Sequence, residues 1–225
     1  MLIRVLAAAI GLPLLIVVVW LGGYFLDAVL ALLAVIAAWE LFRSCGLKRP
    51  WFYVGFLIFI MDMVSVSMIR GMFGLWHVWL IFIVAWGCDT GAYFAGMTAY
   101  RLKKTEPRKL APSLSPKKTV VGAIGGVVTS AVLCVVYALI LNGLGIWAYE
   151  GIMLVWLGLF GAVGAVLGQV GDLAASGVKR AVGIKDFGKI MPGHGGVLDR
   201  FDSIIFVAPV TFLFIHFIMI GACQF

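Results

Sequence analysis

Long apolar runs dominate this sequence and restrict what it can fold into. Seven of them are about 20 residues long, which as α-helix is the length that crosses the hydrocarbon core of a bilayer. They occupy residues 5–21, 24–41, 51–69, 75–97, 120–141, 151–170 and 201–222. Hydrophobic residues make up 64% of the chain, whereas soluble domains are about half apolar. The sequence therefore predicts an all-α, polytopic transmembrane bundle of about seven spans, with residues 1–225 forming a single membrane domain.

Basic residues are concentrated in alternate connections between these runs. If the amino terminus is cytoplasmic, all but one of the 17 Lys and Arg residues lie on the cytoplasmic side, and Arg70 alone lies outside. Such a bias follows the positive-inside rule. We therefore expect a cytoplasmic amino terminus and two long cytoplasmic loops, residues 98–119 and 171–200. The first run has no small-residue cleavage site behind it, so we expect a retained anchor rather than a cleaved signal peptide.

Asp62 and Asp89 fall inside apolar runs, where an ionisable group is expensive and is a functional candidate. Asp89 lies in the small, polar interruption WGCDTGAY, which favours a functional role. Asp62 is surrounded by Met, Val and Ser, so a structural hydrogen bond or partner is an equally good explanation. His77 and His216 are isolated histidines, for which a structural role is favoured over a catalytic one.

Small residues line one face of the sixth run. Gly161, Ala165, Gly168 and Asp172 recur at steps of four, three and four, which places them on the same side of a helix. Such a ridge permits close helix packing, and its cytoplasmic end carries a carboxylate. On this pattern alone, a packing seam that ends in an aspartate is the favoured interpretation.

The stretch 176–202, SGVKRAVGIKDFGKIMPGHGGVLDRFD, combines five cations, three carboxylates and a His-Gly-Gly turn. Asp199 and Asp202 are three residues apart, so in a helix they project from one face. Grouped carboxylates suit Mg²⁺, which typically binds through one or two carboxylates together with substrate phosphates. The glycines beside His194 would let the backbone approach a phosphate, and His194 would either bond that phosphate or only order the turn. A basic loop that merely orients the protein is the alternative.

The other long loop is also basic. Residues 101–118 carry seven cations against Glu106, which accounts for most of the net charge of +7. Attraction of anionic lipid headgroups is the default interpretation. A more specific interpretation assigns Lys117 or Lys118 to a nucleotide or lipid phosphate.

Spacing within the stretch 176–202 resembles the signature of the phosphatidate cytidylyltransferases, which are also called CDP-diacylglycerol synthases. The residues that match in register are Ser176, Lys179, Arg180, Lys185, Asp186, Gly188, Pro192, His194, Gly195, Gly196, Asp199, Arg200 and Asp202. The segments DTGAY at 89–93, SPKKT at 115–119 and GD at 171–172 are similar to family segments in the expected order. The resemblance therefore covers most of the chain from Trp86 onward.

This resemblance implies transfer of a cytidylyl group from CTP to phosphatidate, which yields CDP-diacylglycerol and pyrophosphate. It implies that Asp172, Asp199 and Asp202 bind Mg²⁺ and that Lys179 and Arg180 act with them in catalysis. The residues expected to bind substrate are Ser115, Lys118, Thr119, Ser176, Lys185, Asp186, His194, Gly195, Gly196, Arg200 and Asp89. It also implies a homodimer in the lipid bilayer of a bacterial inner membrane, with the site facing the cytoplasm and no nucleic acid as a partner. Replacing Asp199 by Asn is expected to abolish transfer and to leave folding intact.

Two departures from the family pattern keep alternatives open. Thr119 is followed by Val-Val-Gly, where the family commonly has Trp-Glu-Gly, and only 35 residues separate Pro50 from Trp86, so the middle of the bundle is short. One alternative is a divergent paralogue that is non-catalytic or takes another substrate. The other is a membrane transporter, in which acids at the midplane and a glycine-lined helix also occur.

Overall fold

Helices account for most of the structure, a computed structural model that describes residues 2–46, 50–103, 107–149, 151–188, 190 and 195–219. The long helices are α1 (Leu2–Leu21), α2 (Gly23–Cys45), α3 (Pro50–Met72), α4 (Leu75–Lys103), α5 (Val120–Gly143) and α6 (Ile152–Ala181). A short α7 (Leu198–Phe201) leads into α8 (Ile204–Phe214), which continues as a π-helical turn, Ile215–Met219. Two short antiparallel strands, β1 (Lys109–Ala111) and β2 (Ser115–Thr119), form a hairpin between α4 and α5.

The prediction of a helical membrane bundle is confirmed. Within the described residues, five helices are long and apolar enough to cross a bilayer: Gly23–Cys45, Phe52–Met72, Leu75–Leu102, Val120–Gly143 and Ile152–Ala181. Two shorter apolar helices, Ala9–Leu21 and Ile204–Phe217, correspond to the first and last predicted runs. The count of seven spans and the side on which the amino terminus lies stay predictions.

The two predicted loops are more ordered than a change in hydropathy indicates. Helix α4 continues to Lys103 and α6 to Ala181, so residues 98–103 and 171–181 are helical rather than loop. Residues 109–119 form the hairpin, which the sequence analysis did not predict. The reason is physical: hydropathy marks where the lipid-facing surface ends, whereas a helix ends only where its backbone hydrogen bonding stops.

Glycines allow the central helices to pack at backbone contact distance. A Cβ atom on Gly122 would lie 2.8 Å from the carbonyl oxygen of Ala92, and one on Gly126 would lie 2.6 Å from that of Cys88. Helices α4 and α5 therefore touch closely just above the hairpin. This contact brings Asp89 of α4 to the level at which α5 begins.

The small-residue face of α6 is buried against neighbouring helices of the bundle. A Cβ on Gly161 would lie 2.7 Å from the Ser130 carbonyl oxygen on α5, and one on Gly168 would lie 3.1 Å from the side chain of Val207 on α8. Ala165 is buried between them. The packing interpretation of this seam is confirmed, and the seam offers no free surface to a second copy of the chain.

The end of the bundle that holds Arg70 is capped from within. Its guanidinium donates hydrogen bonds to the carbonyl oxygens of Val19 (2.9 Å) and Trp20 (2.9 Å) at the end of α1, where a helix leaves carbonyls without internal partners. The opposite end gathers the close of α2, α4 and α6, the start of α5 and α8, and the hairpin. That end carries the residues of the predicted site.

Candidate active site

An ion pair joins the hairpin to α6. Lys118 on β2 contacts the Asp172 carboxylate, and each side chain is 25% exposed. Lys118 is placed by the hairpin register, in which Thr119 pairs with Lys109 and Ser115 with Ala111. The pairing links two segments that are more than 50 residues apart in the sequence, so the basic loop and the end of α6 meet.

Thr119 fixes the start of α5 next to that pair. Its backbone is extended, and its Oγ1 accepts a hydrogen bond from the backbone N–H of Gly122 at 3.0 Å. This is an N-cap, which satisfies one of the N–H groups that the first turn of a helix leaves unpaired. Ser115, at the other end of β2, is half-buried and pairs with Ala111 across the hairpin.

Asp199 is buried and fully engaged. Its Oδ1 accepts a hydrogen bond from Lys179 Nζ at 2.9 Å, and its Oδ2 accepts from the backbone N–H groups of Phe187 (2.8 Å) and Gly196 (3.0 Å). The carboxylate side chain is only 3% exposed. Lys179 is also buried, with its ammonium 5.4 Å from the centre of the Phe187 ring. The pair thus ties α6 to both backbone segments of the signature stretch.

Asp202 lies in the turn between α7 and α8, near one positively charged and one negatively charged side chain. Its Oδ2 is 3.8 Å from Lys179 Nζ, and the Asp172 carboxylate is close enough to share a hydrogen bond with it. Burial, followed by the negative charge of Asp172, raises the pKa of Asp202 to about 7. Two carboxylates therefore share one confined space. Their mutual repulsion favours the binding of a proton or a cation between them.

Asp172 and Asp202 consequently fit a divalent cation, because Mg²⁺ uses hard oxygen ligands and typically takes only one or two protein carboxylates. Asp199 fits that role less well, since both of its oxygens already accept hydrogen bonds from Lys179 and from the backbone. Asp89 lies within electrostatic range of Asp172, Lys118 and Arg200. The structure thus brings Asp89 and Arg200 to the same region as the carboxylate pair.

A cavity of about 500 Å³ opens beside Lys118, between α4, α5 and the hairpin. Charged side chains at its wall are Asp89, Lys109, Lys117 and Lys118. Gln169 of α6 closes another part of the wall, with its Nε2 donating to the Ala123 carbonyl oxygen at 3.0 Å. Its volume lies within the range typical of small-molecule sites, and Lys118 belongs both to the cavity and to the ion pair with Asp172.

The charged cluster comprises Lys118, Asp172, Lys179, Asp199 and Asp202. Several predicted site residues lie at its margin. Arg180 is exposed, and its Nη1 donates to the Ile184 carbonyl oxygen at 3.4 Å, while Lys185 and Asp186 are also exposed. Ser176 is half-buried on α6. Gly195 has a φ of +89°, which favours glycine. His194 lies outside the described residues.

Sequence analysis missed one buried carboxylate. Glu40 of α2 is fully buried, and its oxygens accept hydrogen bonds from the backbone N–H groups of Val197 (3.1 Å) and Leu198 (3.0 Å). The available signal was an acid at the penultimate position of the apolar run 24–41, which is as unusual there as Asp62 and Asp89 are in theirs. Asp62 is also fully buried, and neither of its oxygens has a hydrogen-bond partner among the described residues.

The two histidines differ. His77 bonds through Nδ1 to the Phe73 carbonyl oxygen (2.7 Å) and through Nε2 to the Tyr149 hydroxyl (3.1 Å), which agrees with a structural role. Nδ1 of His216 is buried and has no partner in the part of the chain that the structure describes. Both lie away from the charged cluster, since they pack around Phe73 at the other end of the bundle.

Comparison with known proteins gives these residues a common context. Residues 49–218 match the model of the cytidylyltransferase family. A phosphatidate cytidylyltransferase of Bacillus subtilis (strain 168) is 41% identical over 147 residues, which cover 65% of this chain and 48% of the relative. The phosphatidate cytidylyltransferases of Staphylococcus aureus (strain COL) and Staphylococcus haemolyticus (strain JCSC1435) are 43% and 42% identical over 139 and 138 residues, in each case 61% of this chain and 48% of the relative.

The chain thus spans about half the length of the curated relatives it matches. The family model, in contrast, covers well over half of the chain and includes every residue of the charged cluster. Glu40 precedes the matched range. The resemblance deduced from the signature stretch is therefore confirmed: this chain belongs to the cytidylyltransferase family.

Proposed function

We propose that this chain transfers the cytidylyl group of CTP to phosphatidate at the cytoplasmic face of a bacterial inner membrane. An oxygen of the lipid phosphate attacks the α-phosphorus of CTP, a new P–O bond forms, and the bond to the β-phosphate breaks. The products are CDP-diacylglycerol and pyrophosphate. The nucleophile belongs to the substrate, so the chain needs to supply positioning and charge rather than a covalent intermediate.

The observation that carries this proposal is the meeting of Lys118, Asp172, Lys179, Asp199 and Asp202 at one end of an otherwise apolar bundle. The five come from the hairpin, from α6 and from the segment before α8. They combine two cations with three carboxylates in a space next to a cavity of about 500 Å³. A phosphoryl-transfer site needs positive charge to hold polyanionic substrates together against their mutual repulsion. It needs carboxylates to bind the metal ion that supplies part of that charge.

Each of the two lysines is paired with a carboxylate. Lys118 pairs with Asp172, and Lys179 pairs with Asp199 and lies near Asp202. Asp172 and Asp202 would hold Mg²⁺, which when bound supplies positive charge that offsets the phosphates and the departing pyrophosphate. Lys118 lies at the wall of the cavity, where its ammonium would face a phosphate of a bound substrate. Asp199 holds Lys179 in place through Oδ1, because its Oδ2 is itself bonded to the backbone.

The homodimer stays a prediction. It was expected from the family resemblance, and the small-residue seam of α6 was only compatible with it. That seam is filled by α5 and α8 of the same chain. The cytoplasmic orientation of the site likewise rests on the distribution of basic residues.

The test uses the full chain reconstituted in vesicles that contain phosphatidate. With CTP labelled at the α-phosphorus and Mg²⁺ present, we expect label in the lipid fraction and an equal release of pyrophosphate. Lys118→Met should lower the rate about 100-fold, as does the loss of one charge-stabilising donor in other enzymes. Arg43→Gln is the matched control, because Arg43 is an exposed cation at the same end of the bundle that stacks on Trp39 outside the cluster.

Three outcomes would contradict the proposal. Binding of CTP without transfer to any lipid would favour a non-catalytic relative, and transfer to another lipid alone would favour a paralogue with a different substrate. Nucleotide-independent flux of a solute across the vesicle membrane would favour a transporter.

A further inference from the structure

Glu40 is the most completely enclosed acid near the charged cluster, and the proposed reaction gives it no part. It lies on α2 one turn before Ser44, close to the end of the helix at Cys45, and none of its surface is exposed. A buried carboxylate is costly unless its oxygens accept hydrogen bonds. Its presence in an apolar helix therefore needs a reason.

The partners of Glu40 are backbone groups of the signature stretch. Oε1 accepts from the N–H of Val197 at 3.1 Å and Oε2 from the N–H of Leu198 at 3.0 Å. These N–H groups open α7, for which no side chain of the helix's own N-cap residue provides a hydrogen bond. Hydrogen bonds from N–H groups to a charged acceptor are about twice as strong as those between neutral groups. Glu40 thus fixes the backbone immediately before Asp199.

The surrounding chain is shaped to admit this carboxylate. A Cβ atom on Gly188 would overlap Oε1 of Glu40, and one on Gly196 would lie 2.5 Å from Oε2. Real Cβ atoms are not found so close to an oxygen, so a side chain at either position would displace the Glu40 carboxylate from its backbone donors. Ser44, one turn further along α2, donates from its Oγ to the Phe187 carbonyl oxygen at 3.0 Å. Helix α2 therefore holds both backbone segments, 187–188 and 196–198.

These are the same two segments that hold Asp199. The N–H groups of Phe187 and Gly196 donate to its Oδ2, which leaves Oδ1 for Lys179. A shift of either segment would move the Asp199 carboxylate and with it the Lys179 ammonium. Hydrogen bonds thus link α2, through these two backbone segments, to the Asp199–Lys179 pair.

We propose that Glu40 is a positioning residue, which acts through the backbone of residues 196–198 to set the place of the Asp199–Lys179 pair. It touches neither substrate, and its effect is on the geometry of the pair. The inference rests on the proposed function for its catalytic consequence, whereas the hold of Glu40 on the backbone is independent of that function.

The test compares Glu40→Gln with Asp27→Asn. The Gln variant keeps the shape of the side chain but turns an amide N–H toward one of the backbone N–H groups. Asp27 is an exposed carboxylate at the other end of the same helix, bonded to Ser67, and serves as the control. Hydrogen exchange measured by mass spectrometry on the reconstituted full chain should show residues 195–201 exchanging about tenfold faster in Glu40→Gln, with α4 and α5 unchanged. The control should exchange as the parent protein does.

The kinetic arm separates positioning from plain stability. In Glu40→Gln we expect kcat for cytidylyl transfer to fall about 100-fold, the effect of displacing a reacting group by about 1 Å, while KM for CTP changes little. Faster exchange with an unchanged kcat, or exchange that rises equally in every helix, would overturn the positioning role. If Glu40→Gln does not fold, Glu40→Asp takes its place, because the shorter carboxylate keeps the charge but draws away from the N–H groups of Val197 and Leu198, and it should give the same pattern in smaller measure. A parent protein without transferase activity would overturn the proposed function, and the exchange arm would still test the hold of Glu40.

Discussion

Replacing Asp199 by Asn should destabilise the protein as well as inactivate it. The carboxylate accepts three hydrogen bonds, one from the Lys179 ammonium and two from backbone N–H groups. An Asn side chain has the same outline but a single acceptor oxygen. If that oxygen stays with the two backbone groups, the amide N–H groups face Lys179, and a buried ammonium loses its nearest anion. The expectation from sequence that folding would remain intact did not include this arrangement.

The magnitude follows from burial and from the remaining partner. Removing one member of a buried ion pair costs about 3–5 kcal/mol, because the other charge stays buried without compensation. Asp202 Oδ2 lies 3.8 Å from the same ammonium and offers partial compensation, so we expect the lower end, about 3 kcal/mol. For a chain of this size one kcal/mol corresponds to roughly 2–4 °C in melting temperature. The expected fall is therefore roughly 6–12 °C.

The assay is thermal unfolding of the purified protein in detergent, followed by circular dichroism, as a double-mutant cycle with Lys179→Met. The Met variant removes the ammonium and leaves Asp199 with its backbone donors, and the double variant removes both charges. The double variant should melt above Asp199→Asn alone, because no uncompensated charge remains. Asp186→Asn is the control for the melting temperature, since Asp186 is exposed in the same stretch. A melting temperature of Asp199→Asn equal to that of the parent, or strictly additive effects in the cycle, would refute the reasoning.

Three further predictions follow from the same geometry. Because the pKa of Asp202 is raised to about 7, the folded protein favours the protonated form of this carboxyl group. The free energy of unfolding measured in EDTA should therefore fall as pH rises from about 4 through 7, and Asp202→Asn should lack that fall. An identical pH profile in both proteins would contradict this prediction. Thr119→Ala removes the N-cap of α5 and should lower the free energy of unfolding by about 1 kcal/mol, whereas Thr119→Ser should restore it in the same unfolding assay. Gly188→Ala should abolish transfer, because its Cβ would overlap the Glu40 carboxylate; Gly177→Ala, with its nearest neighbour at 3.9 Å, should retain activity and melt no lower than the parent protein.

The membrane helices were the most predictable part of the fold, because lipid imposes a simple rule on them. Every backbone polar group in the hydrocarbon core must be bonded within the helix, so an apolar run of sufficient length has one stable solution. The predicted start of the fifth run at 120 coincides with the start of α5 at Val120. There the rise in hydropathy and the Thr119 cap fall at adjacent residues. At the ends of α4 and α6 the two signals separate, and the prediction was short by six and eleven residues respectively.

The hairpin could not be deduced in the same way. Strand β2 contains Pro116 and two lysines, a composition typical of a loop, and it pairs with a strand of three residues. Its stability comes from tertiary contacts, namely the start of α5 on one side and the Asp172 carboxylate on the other. Sequence analysis assigned Lys117 or Lys118 to a phosphate, and which face of the strand each lysine occupies depends on the strand pleat, which the sequence did not predict. The exposed Lys117 and the half-buried Lys118 alternate across the strand.

The glycines of the signature stretch show what sequence alone cannot determine about such a site. Glycine beside a histidine and several cations was interpreted as room for the backbone to approach a phosphate. At Gly196 and Gly188 the space is taken by the carboxylate of Glu40, an anion that the chain supplies from a helix more than 140 residues earlier. Both interpretations depend on the same physical property, since a backbone without Cβ atoms lets an anion of suitable size approach its N–H groups closely. The pattern 176–202 therefore predicts an anion, and only the packing of α2 against it decides that, at these two glycines, the anion is part of the protein.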